Sequence, residues 1–288
     1  MSDVRIEDLS YFHAKGTPYE IKALDEIALH IREGKITGII GHTGSGKSTL
    51  VQMFNGILKP HSGRVLLAGE DIWKKPKDIR KVRFKVGLVM QYPEYQLFEE
   101  TVFKDISFGP TNMGLSEEEI RERVISAAEF TDIDPELFDK SPFDLSGGQK
   151  RRVALAGVIA MRPEVLVLDE PAAGLDPLGR THIFEGIRNY QRKTGSTVLI
   201  VSHSMEDMAR YSDDVVVMSG AKVLRSGSRE EVFLHVEELA KTGLDIPQIT
   251  HLMRLLREKG MPVPENVYTV EEALRVLRPL YGKGGDAV

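Results

Sequence analysis

The run Gly41-His42-Thr43-Gly44-Ser45-Gly46-Lys47-Ser48 constrains this chain more than any other stretch. It fits G-x-x-x-x-G-K-[ST] between an apolar run, Ile36 to Ile40, and a segment able to be a helix, Thr49 to Phe54. A buried strand, a glycine turn and a helix in that order aim backbone N–H groups and the positive helix end at an anion. Lys47 would then reach the β- and γ-phosphates of a nucleotide, and the Ser48 hydroxyl would ligate Mg²⁺. The expected binding residues are Gly41, His42, Thr43, Gly44, Ser45, Gly46, Lys47, Ser48 and Thr49.

At 288 residues the chain can bury a large core and carry a smaller companion to one main domain. No apolar run approaches the roughly 20 residues that cross a bilayer, and the N-terminus has no basic start followed by an apolar core, so neither spanning nor export is expected. The absence of cysteine excludes disulfides, thiolate metal sites and a thiol nucleophile, and cytosolic residence is the simplest reading. A formal charge of -5 argues against wholesale nucleic-acid binding. The local exception is Lys74 to Lys85, with seven Lys and Arg residues; it reads as a solvated helix face, with phosphate-backbone or lipid-headgroup contact as the alternative.

In chain order, Val4 to Leu9 and Ile21 to Ile31 alternate as strands of an antiparallel preface. Tyr11, His13 and Tyr19 lie between them, each with a ring able to stack on adenine. Gly63 to Leu67 and Lys85 to Met90 read as further strands, the second delivering Gln91 to a loop containing Pro93. A helical subdomain, about 101 to 145, interrupts the alternation; Ser116 with Glu119 forms a capping box inside it. Ser146 follows as the N-cap of a helix opened by Gly147 and Gly148, a second anion-binding helix end. Val165 to Leu168 is a continuous apolar run ending in Asp169 and Glu170, as a strand buried on both faces of a parallel sheet would read, with its acids at the ligand-binding end. Thr197 to Ser202 repeats the design and ends in His203; Asp214 to Met218 adds a strand, and helices are expected at 178 to 193 and 204 to 211. Beyond Gly227 a helical appendix, 228 to 288, is expected. Its apolar stripes are Ile246, Ile249, Leu252 and Leu256, then Val270, Ala273, Leu274 and Leu277 behind a capping box at Thr269, with a frayed tail from Gly282.

Spacing alone already suggests chemistry. Asp169 can hold Mg²⁺ on the phosphates that Ser48 approaches, and Glu170 is the natural group to deprotonate an attacking water. His203 can bond the γ-phosphate or that water, and Gln91 can report whether the phosphate is there.

Leu145-Ser146-Gly147-Gly148-Gln149, with these residues, resembles the signature of the ATP-binding-cassette (ABC) ATPases over residues 3 to about 227. The resemblance implies an α/β fold of the P-loop NTPase type: a mostly parallel core sheet, an antiparallel β subdomain, a helical signature subdomain and the helical appendix, with residues 1–227 as the nucleotide-binding domain. Gly41 to Ser48 then look like Walker A, Gln91 the Q-loop and a metal contact, Val165 to Asp169 Walker B, Glu170 the catalytic carboxylate, Ala173 to Asp176 the D-loop and His203 the switch histidine. The family usually has Tyr or Trp where His13 falls, so stacking here is weaker on His13 or recruits Tyr11. In such enzymes Ser146, Gly147, Gly148 and Gln149 of one subunit would cover the ATP of another, so a dimer is implied.

A narrower match runs from Val89 to Val102, containing Tyr92-Pro93-Glu94-Tyr95-Gln96-Leu97-Phe98-Glu99-Glu100. It resembles the second, A-prime, ATPase of energy-coupling-factor (ECF) transporters. That implies an ATPase coupled to import of a vitamin or transition metal. It also implies a paralogous ATPase, or a second copy, as dimer partner. A transmembrane T subunit with S components would lie above it, the ATPase sitting peripherally on the cytoplasmic face of the membrane; no nucleic acid is expected. The competing reading, a soluble ABC ATPase acting on nucleic acid or ribosomes, rests on the basic segment; no long coiled coil fits between Lys47 and Ser146, and the chain holds no second cassette.

Overall fold

The computed structural model describes residues 3–235, 238–239, 243–244 and 247–281. Two sheets organise it. The first pairs β1 (Val4–His13) antiparallel with β2 (Ile21–Ile31) and with β4 (Ser62–Leu67), in the order β2-β1-β4-β5, where β5 is Glu70–Asp71. The second has the order β10-β9-β3-β8-β7-β6: Lys222–Ser228, Asp214–Ser219, Ile36–Gly41, Thr197–Val201, Val165–Asp169 and Val86–Val89. Every pairing in it is parallel except β10 with β9.

All residues of β3, β7 and β8 are buried, so their sequences carry no alternation. The two faces of the sheet still lead to different cores. Ile36, Ile40, Leu166, Leu168, Val198 and Ile200 pack with the helices of the 102–211 region. Ile39, Val165, Val167, Leu199 and Val201 pack with the antiparallel sheet and α1 (Lys47–Phe54). The parallel register sets Asp169 opposite Val201 and Ile39 opposite Val201, so β3, β7 and β8 end together. The residues that follow them, His42, Glu170 and Ser202-His203, therefore emerge at one edge of the sheet.

The helical region begins where Thr101 caps α3 (Val102–Asn112), and α4 (Glu117–Phe130) carries the Ser116–Glu119 capping box. Next comes α5 (Gly147–Ile159), capped by Ser146, whose hydroxyl accepts from Gln149 N while Gln149 Oε1 accepts from Ser146 N at 2.9 Å. The helices expected near 178 to 193 and 204 to 211 are α6 (Pro177–Thr194) and α7 (Met205–Tyr211).

Three local expectations need correction. The basic segment is helical only from Ile79, as α2 (Ile79–Lys85), because Pro76 initiates a separate tight turn before it. Its cations are partly tied down: Arg80 donates to Asn112, Arg83 to the Gly56 carbonyl, and Lys81 and Lys85 pair with Asp78 and Glu164. In the appendix helix Gln248–Glu258 the inward line is the buried Met253 with the partly buried Ile249 and Leu256, and Leu252 is exposed; Met253 is the residue four on from Ile249, while Leu252 lies round the side. In the helix Val270–Tyr281, Ala273, Val276 and Leu277 face inward and Val270 and Leu274 outward. Ile246 and the segment 282–288 lie outside the described residues.

Candidate active site

Between β2 and the carboxyl ends of β3, β7 and β8 lies a cleft of about 420 Å³, lined by Thr43, Gly44, Gly46, Lys47, Ser48 and Thr49 on one side. Gln91, Asp169, Glu170 and His203 line it on the other, and His13 closes it at the antiparallel sheet. The loop conformation depends on its glycines. Gly46 has φ +103°, and a Cβ there would lie 2.4 Å from the Ala23 carbonyl oxygen. Gly41 is packed as tightly: a Cβ would come within 2.4 Å of Met218 O.

Lys47 is the first residue of α1 and is 5% exposed. Its ammonium donates to Gly41 O at 2.7 Å and His42 O at 2.9 Å, which leaves one N–H for a ligand. Burial pushes its pKa down, opposed by the charges of Glu170 and Asp169. Burial raises Asp169, and a hydrogen bond from the Ser48 side chain works against that rise. This pairing puts a hydroxyl and a carboxylate on one point, a donor set suited to a hard cation that takes its remaining oxygens from phosphate and water. Among the described residues no group of three or more His, Asp or Glu could enclose a metal.

Glu170 directly follows β7 in the left-handed conformation, φ +52°, rare for a residue with a side chain and costing about 1–3 kcal/mol. Its N–H donates to Val201 O at 3.0 Å, so the bend is locked to the neighbouring strand. Burial, and then the adjacent Asp169 charge, push its carboxyl up to about 7, with Lys47 pulling the other way. His203 Nε2 stands 3.1 Å from Glu170 Oε1, close but not aligned as a hydrogen bond. Burial and then Lys47 hold the imidazole below its ordinary pKa, in the neutral form. A carboxyl poised near neutrality beside a neutral imidazole, a buried lysine and a hydroxyl–carboxylate pair is equipped to activate water against a phosphate.

The expected aromatic position resolves into layers. His13 lines the cleft and reaches Thr49 Oγ1 at 3.2 Å, whereas Tyr11 packs edge-on behind His13, ring centroids 5.1 Å apart. Tyr19 is 81% exposed and does not line the cleft. Ile21, Lys22 and Ala23 do line it, from β2. Sequence reasoning did not single them out, and their strand alternation carries no signal for a ligand.

Residues 24–173 match the ABC transporter domain family. Over 280 residues the chain is 53% identical to the energy-coupling factor transporter ATP-binding protein EcfA2 of Caldanaerobacter subterraneus subsp. tengcongensis, spanning 97% of this chain and 98% of that one. The EcfA2 protein of Clostridium tetani is 52% identical across 96% and 97% of the two chains. The chain is an ABC ATPase of the energy-coupling-factor branch. Among solved structures, cbiO1 of Clostridium perfringens, described as part of the ABC transporter complex cbiONQ, superposes with TM-score 0.74 at 45% identity over 87% of this chain and 98% of that one. The ATP-binding cassette MJ0796, solved as a post-hydrolysis dimer with ADP and phosphate, matches with TM-score 0.71 at 26% identity over 78% and 98%. ATP hydrolysis is the activity of this family, and this ABC ATPase binds nucleotide.

Within the ECF-type ATPase the signature residues stand apart from the cleft. None of Ser146, Gly147, Gly148 and Gln149 lines it, and a Cβ at Gly147 would meet nothing within 4 Å. Arg151, one turn along the same helix, was not anticipated. It is 4% exposed and grips Glu94 with two nitrogens, Nη2 to Oε1 at 3.0 Å and Nε to Oε2 at 3.2 Å, while Nη1 bonds the Ala173 carbonyl. It therefore joins the loop after Gln91, the signature helix and the segment that leads into Asp176, which caps α6 through Gly179 N. Arg151→Met is expected to leave the half-buried Glu94 unpaired and the Ala173 carbonyl without its donor, and to destabilise the fold by about 2 kcal/mol. A urea titration should show a lower midpoint at unchanged slope; an unchanged midpoint would contradict the assigned role.

Proposed function

We propose that this chain is one of the two ATPase subunits of an ECF importer that takes up a vitamin or transition-metal micronutrient. It pairs with a paralogous ATPase subunit and docks beneath a transmembrane T subunit at the cytoplasmic face of the membrane, with S components selecting the solute. The observation that carries the reading is the separation of the two anion-binding helix ends. The Lys47 end lines the cleft and the Ser146 end lies outside its lining with open space at Gly147, which suits a head-to-tail dimer in which each subunit covers the other's ATP.

In this reading Lys47 holds the β- and γ-phosphates, and Ser48, Asp169 and Gln91 hold Mg²⁺, which when bound draws charge from the phosphate oxygens. Glu170 accepts the proton of the attacking water, His203 holds the water or γ-phosphate, and His13, backed by Tyr11, stacks on adenine. The domain boundaries near 101, 145 and 227 belong to the same proposal. Among the described residues no helix is long and apolar enough to cross a membrane, so the solute path requires other subunits.

A groove of about 550 Å³ between α2, α3 and α5 supports docking on a membrane subunit. Phe98 and Phe108 meet in it edge to face at 4.8 Å while remaining 56% and 46% exposed, an apolar patch rimmed by Arg80 and Arg83. On the appendix Leu252, Leu255, Val270 and Leu274 are also exposed, a surface suited to the ATPase partner. Co-expression with the T and S components should yield a detergent-extracted complex. Phe98→Glu should lose it while ATP binding by the isolated subunit is unchanged. Stimulation by DNA or ribosomes with no membrane complex would overturn the proposal.

A further inference from the structure

A second polar cleft, also of about 420 Å³, opens at the opposite end of the core sheet, where β3 and β9 begin. Six cations line it, Arg32, Lys35, Arg188, Arg192, Arg210 and Arg229, against only two carboxylates, Asp213 and Glu230. Both acids are committed: Asp213 Oδ2 accepts from Ile36 N at 2.9 Å, and Glu230 pairs with Arg229 at 2.7 Å. Arg32 is paired with Asp214. Lys35, Arg188 and Arg192 form no ion pair among the described residues, so three positive charges line the cleft with no carboxylate paired to them, Glu185 being the acid that acts on Tyr211 beside Arg188.

The remaining compensation comes from the last helix. Arg210 Nη2 lies 3.1 Å from Glu271 Oε1, and Arg229 Nη2 lies 3.6 Å from Glu272 Oε1. The site is built rather than loosely lined: Arg229 Nη1 donates to Ala209 O at 2.6 Å, and Gln191 Nε2 donates to Gly34 O at 2.7 Å, which fixes the guanidinium and the floor beside it. Guanidinium forks match phosphate oxygens bidentately.

We propose that this cleft binds a small anion carrying two or more phosphate groups, which takes Arg210 and Arg229 from Glu271 and Glu272 and so loosens the helix Val270–Tyr281 from the core. A singly charged anion would satisfy one guanidinium and leave the other charges facing each other. Two or more phosphates can engage Lys35, Arg188 and Arg192 together and also outcompete the exposed Glu271 and the half-buried Glu272, whose other oxygen caps its own helix through Tyr268 N and Thr269 N. The ligand class follows from that count, and the site is independent of the nucleotide cleft and of transport.

The test uses the full chain carrying Lys47→Ala to disable the phosphate loop, taken as the parent for this experiment, in metal-free buffer without nucleotide, titrated with inorganic tripolyphosphate by calorimetry. One-to-one binding is expected, at least about tenfold tighter than for orthophosphate, and at least about tenfold weaker in the double variant Arg188→Gln, Arg192→Gln. Glu271→Gln, which removes a competitor, should tighten it. Hydrogen exchange in Val270–Tyr281 should accelerate on binding in the parent chain. Equal affinity in parent and double variant overturns the site, and tight binding that leaves exchange in the last helix unchanged overturns the release.

Discussion

Glu170→Gln is expected to lower the turnover number by at least about a hundredfold while leaving ATP affinity within a few-fold of the parent chain. The two residues have the same shape, so the left-handed bend after β7 and the bond from residue 170 N to Val201 O survive. What disappears is the capacity to accept a proton, and a positioned base contributes about 10² to 10⁴ in rate. With hydrolysis blocked, ATP should hold the dimer closed, so size exclusion with Mg·ATP should show an accumulated dimer that the parent chain shows only transiently. Single-turnover hydrolysis measures the loss directly. Near-normal hydrolysis when both subunits carry the change would remove Glu170 as the base.

The same substitution has a stability signature of opposite sign. The folded-state pKa of Glu170, about 7, stands above its ordinary 4.5, so between those values the native state binds a proton that the unfolded state has released. Stability contributed by this residue therefore falls as pH rises across that window, by roughly 3 kcal/mol in all, and stays lost above it. Glutamine has no charge to desolvate. In EDTA and without nucleotide, Glu170→Gln should be more stable than the parent at pH 8 and little different at pH 5. Equal unfolding midpoints at pH 8 would mean that the carboxylate is better solvated than its surroundings indicate. Catalysis and folding thus make opposite demands on this one carboxylate.

Much of this site was legible because its pieces are local in the chain. A glycine turn with Lys47 and Ser48, an apolar strand ending in Asp169-Glu170, and Ser146 with Gln149 three on are each set by residues a few positions apart. What brings them to one edge is not local. The order β3-β8-β7 comes from crossover connections, and nothing in Thr197 to Val201 tells that it lies between the other two strands. Arg151 escaped notice for a related reason: in a run of Lys150-Arg151-Arg152 a cation reads as solvated, and its partners Glu94 and Ala173 lie 57 and 22 residues away. β10 was missed because it is a mostly polar edge strand, with Val223 and Leu224 adjacent rather than alternating, whose existence depends on the tight turn at Gly220-Ala221 and pairing with β9. In the appendix the apolar residues outnumber those a small core can hold, so the sequence shows two plausible faces per helix and only packing selects Met253 over Leu252.

Lys47→Ala should fail one step earlier, at binding. The ammonium serves two structures at once. Two of its protons hold the Gly41 and His42 carbonyls, which curl the loop, and the third is left for the proposed phosphate. Hydrogen bonds to charged groups contribute about 1.5–3 kcal/mol each, so loss of the phosphate contact together with the loop's internal brace should weaken ATP by about a hundredfold or more. The acids feel the loss too. Lys47 is the first of the groups that lower Glu170 against burial and, after the Ser48 hydrogen bond, also lowers Asp169, so without it both carboxyls shift further upward and the site becomes a poorer host for a cation as well as for phosphate. Equilibrium titration with a fluorescent ATP analogue should separate the two variants cleanly: Glu170→Gln retains the parent's binding curve and Lys47→Ala moves it by at least two decades. ATP binding by Lys47→Ala as tight as that of the parent chain would take away the main support for Gly41 to Ser48 as the phosphate site, whatever happened to turnover.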